Sequence, residues 1–430
     1  MTTQTDTGPA ASTGVSAEIP AAAARRPLGW APWLVLACVF AATALNYADR
    51  QSMALLKPLI DADLGWAPED YGLVMTAFQA AGMLALVGAG WFIDKVGLRW
   101  GYPLAVAAWS LAAMAHAGAR TTGQFLACRL ALGVAEAANT PAAAKAVARW
   151  FPADRRSIAI GLMNAAPNVG AVLTPLALPW LALEWGWHVT FIITGAAGVV
   201  WLGAWFLLPS RPTAQAVPSV AAEGQPAWPW RRLLTDRHCW AVAGAKFLTD
   251  PVWWFMLLWM PDFFHQRFDL DMRHIGAPVA TVYALATVGA LLGGIVPARL
   301  LAAGVSPSRA RWIPMAASAV LVLPLPLALW ADSPWPAVLL VGLVLAAHQG
   351  FSTNVFALAA DAFPVRMVGT AIGVGAFCGN LGGVLILQAT SRLSARGGYH
   401  PLFIYCAVAY GLALLLVRTL IPRVRVAEGG

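Results

Sequence analysis

Residues 30–59 read WAPWLVLACVFAATALNYADRQSMALLKPL. The run is long and apolar enough to cross a bilayer, which takes about 20 such residues. Yet Asp49 and Arg50 sit within it, beside Asn46 and Tyr47. A charge at membrane depth costs roughly 2.5 to 3.5 kcal/mol even on the gentlest insertion scale. Such groups persist where they line a water-filled path, pair with one another or bind an ion. Arg129 and Glu136 repeat the pattern in a later apolar run. The chain therefore reads as a device that moves something polar across a membrane.

Composition points the same way. Of 430 residues, 59% are hydrophobic and only 11% charged, against about 25% charged in a soluble domain. The mean hydropathy is +0.66. That much apolar surface has to face lipid, and the 39 glycines and 21 tryptophans suit membrane helices and their interfaces. The five cysteines (Cys38, Cys128, Cys239, Cys378, Cys406) lie in or beside apolar runs without metal-ligand spacing, and read as packing thiols. The formal charge of +8 does not imply nucleic acid, because the basic residues fall in short gaps between apolar runs. Ahead of Arg25 and Arg26 the chain is rich in Ala, Thr and Ser, as a disordered tail is. The run that follows exceeds the apolar core of a signal peptide, about 7 to 15 residues.

Apolar windows predict helices near 30–59, 71–93, 102–119, 122–148, 155–182 and 188–208, and again near 239–264, 275–302, 311–330, 335–360, 365–390 and 399–421. The fold class expected is an all-α membrane protein of about twelve transmembrane helices in two six-helix bundles. Residues 1–29 form an N-terminal tail, 30–209 the first bundle, 210–238 a polar, proline-bearing linker, 239–422 the second bundle and 423–430 a C-terminal tail. Lys and Arg set the orientation. Arg25, Arg26, Lys95, Arg99, Arg149, Arg231, Arg232, Arg309, Arg311 and Arg423 share one side; Lys57, Arg120, Arg267 and Arg273 fall on the other, with Asp61, Asp63, Glu69 and Asp70. A multi-pass protein of the inner (plasma) membrane, with both termini and the linker cytoplasmic, is expected.

Arg129, Gly133 and Glu136 are spaced by four and three, so they share a helical face, as do Asn46, Asp49 and Arg50. Two carboxylates and two guanidinium groups can thus converge on one cavity. Arginine suits a carboxylate ligand because its planar fork bonds two oxygens and never deprotonates. A carboxylate held away from water can load and release a proton near neutral pH. The alternative is that Asp49–Arg50 and Arg129–Glu136 are structural pairs.

Between the second and third helices stands Gly90-Trp-Phe-Ile-Asp94-Lys95-Val-Gly97-Leu-Arg99. Gly90 admits a close backbone, Asp94 can complement a helix N-terminus, and Gly97 permits a tight turn. This stretch resembles the gating loop of the major facilitator superfamily, G-x-x-x-D-R/K-x-G-x-R. The strings LNYADRQS, RLALGVAEAANTPAAAKAVARWFP and GWHVTFIITGAAG resemble its anion:cation symporter family. KFLTDPVWWFMLLWMPDFF (246–264) and AHQGFSTNVFALAADAFP (347–364) are similar to the hexuronate and sugar-acid branch. The likeness runs from Trp30 to about Pro422.

The resemblance implies two bundles about a central cavity, working by alternating access, with uptake of a small organic anion such as a hexuronate or galactonate. It implies no cofactor, only the proton gradient, and a monomer. Asp49 and Glu136 become the proton-coupling carboxylates, Arg50 and Arg129 the anion contacts, and Tyr47 a hydroxyl contact. In the second half Trp253 and Trp254 offer aromatic faces, while His348, Gln349, Ser352, Asn354 and Asn380 offer hydrogen bonds to hydroxyls. His116, near a helix end, reads as interfacial.

Two departures stand out. The family often carries a tyrosine where this chain has Gly82, a loss for which Gln79 on the same helix is the expected substitute. The related loop between helices eight and nine, Gly293-Gly294-Ile-Val-Pro297-Ala298-Arg299, lacks the usual acid. An efflux antiporter of the same fold is the rival, disfavoured because Asn164-Ala-Ala-Pro167-Asn168-Val-Gly170 replaces the exporters' G-P-x-x-G-G. A transporter-like sensor is a further alternative. No intramembrane protease pattern and no nucleotide-binding loop is present. Two fixed cations beside two protonatable acids favour a monovalent anion, and hydroxyl-bonding walls favour a polyhydroxylated body over an apolar one. Neutral hexoses are expected not to bind.

Overall fold

The computed structural model describes residues 29–209, 235–363, 365–395 and 398–422. Residues 1–28 and 423–430 of the expected tails, and residues 210–234 of the linker expected over 210–238, lie outside the described residues. Among those described, regular structure is wholly helical. The first half comprises α1 (Trp30–Leu64), α2 (Pro68–Val96), α3 (Leu98–Ala115), α4 (Thr122–Glu136), α5 (Asn139–Trp150) and α6 (Ala153–Leu207). The second comprises α7 (Arg237–Phe268), α8 (Gly276–Ala302), α9 (Pro307–Leu321), α10 (Pro334–Ala362), α11 (Val365–Ala395) and α12 (His400–Leu420). Among the described residues, eight helical segments are long and apolar enough to span a membrane. Their outer faces leave large apolar side chains uncovered, such as Val87, Val200 and Leu207, which is the surface a bilayer covers.

Local chemistry sets the helix ends. Gly65, at φ 65°, closes α1 in the left-handed region that glycine enters at little cost. Pro68 opens α2, where Asp70 accepts from the Ala67 N–H at 3.1 Å. Two elements depart from the sequence expectation, and a third agrees with it. The helix expected over 122–148 breaks at Ala137–Ala138 into α4 and α5. Pro141 accounts for this, since it has no N–H to return to the Ala137 carbonyl. The helices expected at 155–182 and 188–208 are both present: α6 is two helices that meet at a kink at Gly186, where the backbone leaves the helical region (φ 78°, ψ 163°). The helix expected over 311–330 stops at Leu321 and resumes as a 3₁₀ segment, Leu325–Trp330, that starts just after Pro324.

The halves meet where α2 packs on α11, α6 on α8 and α1 on α7. Their contacts gather toward the end that carries the α1–α2 connection. There Tyr71 donates to the Leu258 carbonyl at 2.6 Å, and its ring stands edge-on to Trp259 with centroids 5.0 Å apart. Lys57 reaches Asp262 across the halves at 2.8 Å, each side chain only 4% exposed. Asp262 also accepts from Tyr399 at 2.5 Å and from Gln266 at 2.8 Å. Gly72 lies against Ser391, and Gly276 against the Pro175 carbonyl, so closely that a Cβ at either would clash. At the opposite end, among the described residues, no hydrogen bond or ion pair joins the halves. The contacts at the α1–α2 end seal the halves together there.

Candidate functional site

A cavity of about 530 Å³ lies between the halves, behind that seal. Tyr47, Arg50, Gln79 and Glu136 line it from the first half; Trp253, Trp254, His348, Gln349, Ser352 and Asn380 line it from the second. Arg50 donates through Nε to Glu136 Oε2 at 2.9 Å, joining α1 to α4. Its guanidinium carbon stands 5.4 Å from the Tyr47 ring, 5.6 Å from Phe78 and 5.7 Å from Trp254. The charge is thus held in an aromatic collar, a setting in which a cation is favoured. Spending Nε on Glu136 leaves the two terminal nitrogens for another acceptor. The arginine–carboxylate pair is therefore Arg50–Glu136, not either of the pairs the sequence suggested.

Three expected site residues do not line the cavity. Arg129 is fully buried behind the Phe78 ring, 5.3 Å from its centroid. It donates to the Asp49 backbone carbonyl at 3.4 Å, while its Nε and Nη2 have no partner among the described residues. Asp49, 4% exposed, is buried in the same layer. Asn354 donates to the carbonyls of Gly293 and Gly350, at 3.2 and 2.9 Å, and so ties α10 to α8.

The other polar groups on the wall are held by neighbours. Gln79 donates to Asn380 across the halves at 2.6 Å. Gln349 reaches Asn168 across the same gap at 3.5 Å. His348 shares a hydrogen bond with the Tyr410 hydroxyl at 2.9 Å and stacks on Trp253 at 5.5 Å. Gly82 lies on the wall, as expected from the missing tyrosine.

The sequence reading passed over two charges on this wall, Lys246 and Asp250. Their signal was available, an acid and a base four apart in an apolar helix, the spacing that exposed the first-half residues. It also set Lys57 among the outer basic residues and left Asp262 unread, although the two form the buried link between halves. Among the described residues near the cavity, Arg50, Arg129 and Lys246 are matched in number by Asp49, Glu136 and Asp250. His116 is fully buried and stacked on Phe191 rather than interfacial.

The Gly90–Arg99 stretch corrects two expectations. No backbone approaches Gly90, whose missing Cβ would meet nothing within 4 Å. Asp94 bonds Lys145 of α5 at 2.7 Å, while Gly97 caps α3. Gly97 does make the turn, at φ 83°. Arg99 satisfies the carbonyls of Trp205, Phe206 and Leu208 at the end of α6, at 3.0 to 3.2 Å. Lys95 stands 4.8 Å from the Trp91 ring.

Two bundles about a central cavity are the form of an alternating-access carrier, and the profile of the Major Facilitator Superfamily matches residues 39–387. The chain belongs to that superfamily. Its members are membrane transporters, not enzymes. The transporter is 28% identical over 414 residues to the hexuronate transporter of Escherichia coli (strain K12), covering 92% of this chain and 96% of the relative. It is 28% identical over 282 residues to the galacturonate transporter of Dickeya chrysanthemi, covering 62% and 81%. The inward-open xylose transporter of E. coli superposes with a TM-score of 0.73 over 91% of this chain and 96% of that one, at 12% identity.

Proposed function

We propose that the protein takes up a sugar acid, such as a hexuronate or a galactonate, by proton-coupled symport through alternating access. The observation that carries this reading is the Arg50–Glu136 pair on the wall of a cavity whose other half offers hydroxyl-bonding groups. A substrate carboxylate takes the free terminal nitrogens of Arg50, where the fork gives two hydrogen bonds. It then competes with Glu136 for the same cation. Glu136, its partner shared and little water at hand, takes up a proton, so proton and anion load together. Asp49 is the second coupling carboxylate, set beside Arg129, which acts from behind the cavity wall. Gln79, His348, Gln349, Ser352 and Asn380 meet the hydroxyls, and the faces of Trp253 and Trp254 meet the C–H surface of the sugar. In this reading the sealed end faces the outside, the opposite end and both termini face the cytoplasm, and one copy of the chain suffices.

Support comes from the names of the relatives, which act on hexuronate and galacturonate. Uptake into proteoliposomes tests it. A proton gradient directed into the vesicle, acid outside, should drive accumulation of galacturonate or galactonate but not of glucose. Asp49→Asn and Glu136→Gln should abolish accumulation while leaving binding or exchange. Accumulation that needs sodium and ignores the pH gradient, or full accumulation by both neutral variants, refutes proton coupling.

A further inference from the structure

Lys246 and Asp250 have no part in the scheme above. They stand one turn apart on α7, and both line the cavity. Lys246 Nζ lies 2.7 Å from Asp250 Oδ1 and donates to Ser352 Oγ, on α10, at 2.9 Å. The Phe356 ring centroid, also on α10, stands 4.5 Å from the same ammonium. Helix α11 packs on the carboxylate, since a Cβ at Gly379 would strike Asp250. Three helices thus hold the pair in one geometry. An ammonium has three donors, and the described residues engage two of them. A carboxylate has about four acceptor sites, and among the described residues its ionic partner is Lys246.

As a mere strut the pair is poorly designed. Burying an ion pair gains little stability over apolar packing, and a strut belongs between helices rather than on a cavity wall. As a reader of hydroxyls it is apt. Lysine only donates and a carboxylate only accepts, whereas a hydroxyl does both. Two hydroxyls on adjacent carbons can therefore meet the pair together. One oxygen accepts the free N–H of Lys246, and its neighbour donates its proton to Asp250. The spacing agrees: oxygens of a staggered gauche diol stand roughly 2.9 Å apart, and Nζ and Oδ1 are 2.7 Å apart. Both bonds are charge-assisted, and so stronger than those from the neutral amides of Gln349 and Asn380. The rings complete the fit, Phe356 beside the ammonium and Trp254 one turn on from Asp250, both on the same wall. They offer faces to the C–H side of a polyhydroxylated body.

We propose that Lys246 and Asp250 together bind a vicinal diol of the sugar and are a specificity-determining pair of the carrier. This rests on the reading of the cavity as a sugar-acid site and deepens it, from single hydroxyl contacts to recognition of two neighbouring hydroxyls at once.

Calorimetric titration of the purified full-length protein tests it, with galacturonate and its single-deoxy analogues at carbons one to four. Two analogues that lack neighbouring hydroxyls should each bind the native protein about tenfold or more weakly than galacturonate, since each leaves a charged group of the pair without its bond. The double variant Lys246→Met with Asp250→Leu keeps the shapes and removes the polar atoms, a change that a buried ion pair tolerates. It should bind galacturonate about tenfold or more weakly than the native protein does, and those two analogues should then bind no worse than galacturonate itself. If the analogues keep their native penalties in the double variant, the pair serves the fold and the inference fails. It fails too if the penalties abolished do not fall on neighbouring carbons. If the native protein binds galacturonate and every analogue equally, the inference fails while the sugar-acid reading stands. If it binds neither galacturonate nor galactonate, both fail. Where the double variant does not fold, Asp250→Asn takes its place: the penalty at one carbon of the two should shrink, and unchanged penalties at both overturn the inference.

Discussion

Replacing Asp262 by asparagine should loosen the seal at the α1–α2 end and shift the protein toward the state open there. Asp262 is the better target of the cross-half pair. Without it Lys57 still has Asp61, at 2.5 Å on its own helix, so no ammonium is stranded. At the observed 2.8 Å, Coulomb attraction in an effective dielectric of 20 is about 6 kcal/mol. Desolvation of two side chains each 4% exposed offsets most of that. What remains is the net worth of a charge-assisted hydrogen bond, about 1.5 to 3 kcal/mol. A value near 2 kcal/mol multiplies the ratio of open to sealed molecules about 30-fold. Spin labels at Glu69 and Arg273, exposed positions on the two halves at this end, report the separation by pulsed dipolar spectroscopy. The native protein should give one short distance, and Asp262→Asn a second, longer one. If Asp262→Asn and Lys57→Met both fold and leave the distance distribution unchanged, the pair does not hold the seal.

Gly72→Leu should have the same effect by steric means, because its side chain must occupy the space of Ser391; the same labels report it, and an unaltered short distance would count against a tight seam. Arg50→Lys should weaken galacturonate binding about tenfold or more, since an ammonium cannot hold Glu136 and a carboxylate in one plane; titration calorimetry measures this. Gly289→Val should lower the amount of folded protein, because its side chain would collide with the Ala346 backbone where α8 meets α10; size-exclusion chromatography of the solubilised protein reads the loss. A cysteine at Ser219 should resist an impermeant thiol reagent applied outside intact cells, as a cytoplasmic linker requires.

The helical spans were legible because the pattern is local: about 20 apolar residues between basic or proline-bearing gaps mark a crossing wherever they occur. The first-half charges were legible for the same reason, since Arg129 and Glu136 stand seven apart on one helix face. Their pairing was not, because Arg50 meets Glu136 across 86 residues and only packing decides which carboxylate it finds. Lys57 was misread through its position. A lysine near the end of an apolar run ordinarily snorkels to the interface, and its buried partner Asp262 lies two hundred residues on. Asp49 and Arg129 share helices and spacing with the cavity residues Arg50 and Glu136. A shared face still does not tell the first layer from the second, and the Phe78 ring that separates Arg129 from the cavity comes from another helix.

The equal number of cations and carboxylates near the cavity has an electrical consequence. With each group in its ordinary charge state, Arg50, Arg129 and Lys246 cancel Asp49, Glu136 and Asp250, so the empty carrier can reorient without dragging net charge through the field. A monoanion carried with one proton keeps that sum at zero, and the membrane voltage then neither helps nor hinders the return. Two protons per monoanion, or three per dianion, would add one positive charge to the moving unit, worth about 2.3 kcal/mol for each 100 mV. A current recorded from membranes loaded with the protein would thus count the protons without following any of them.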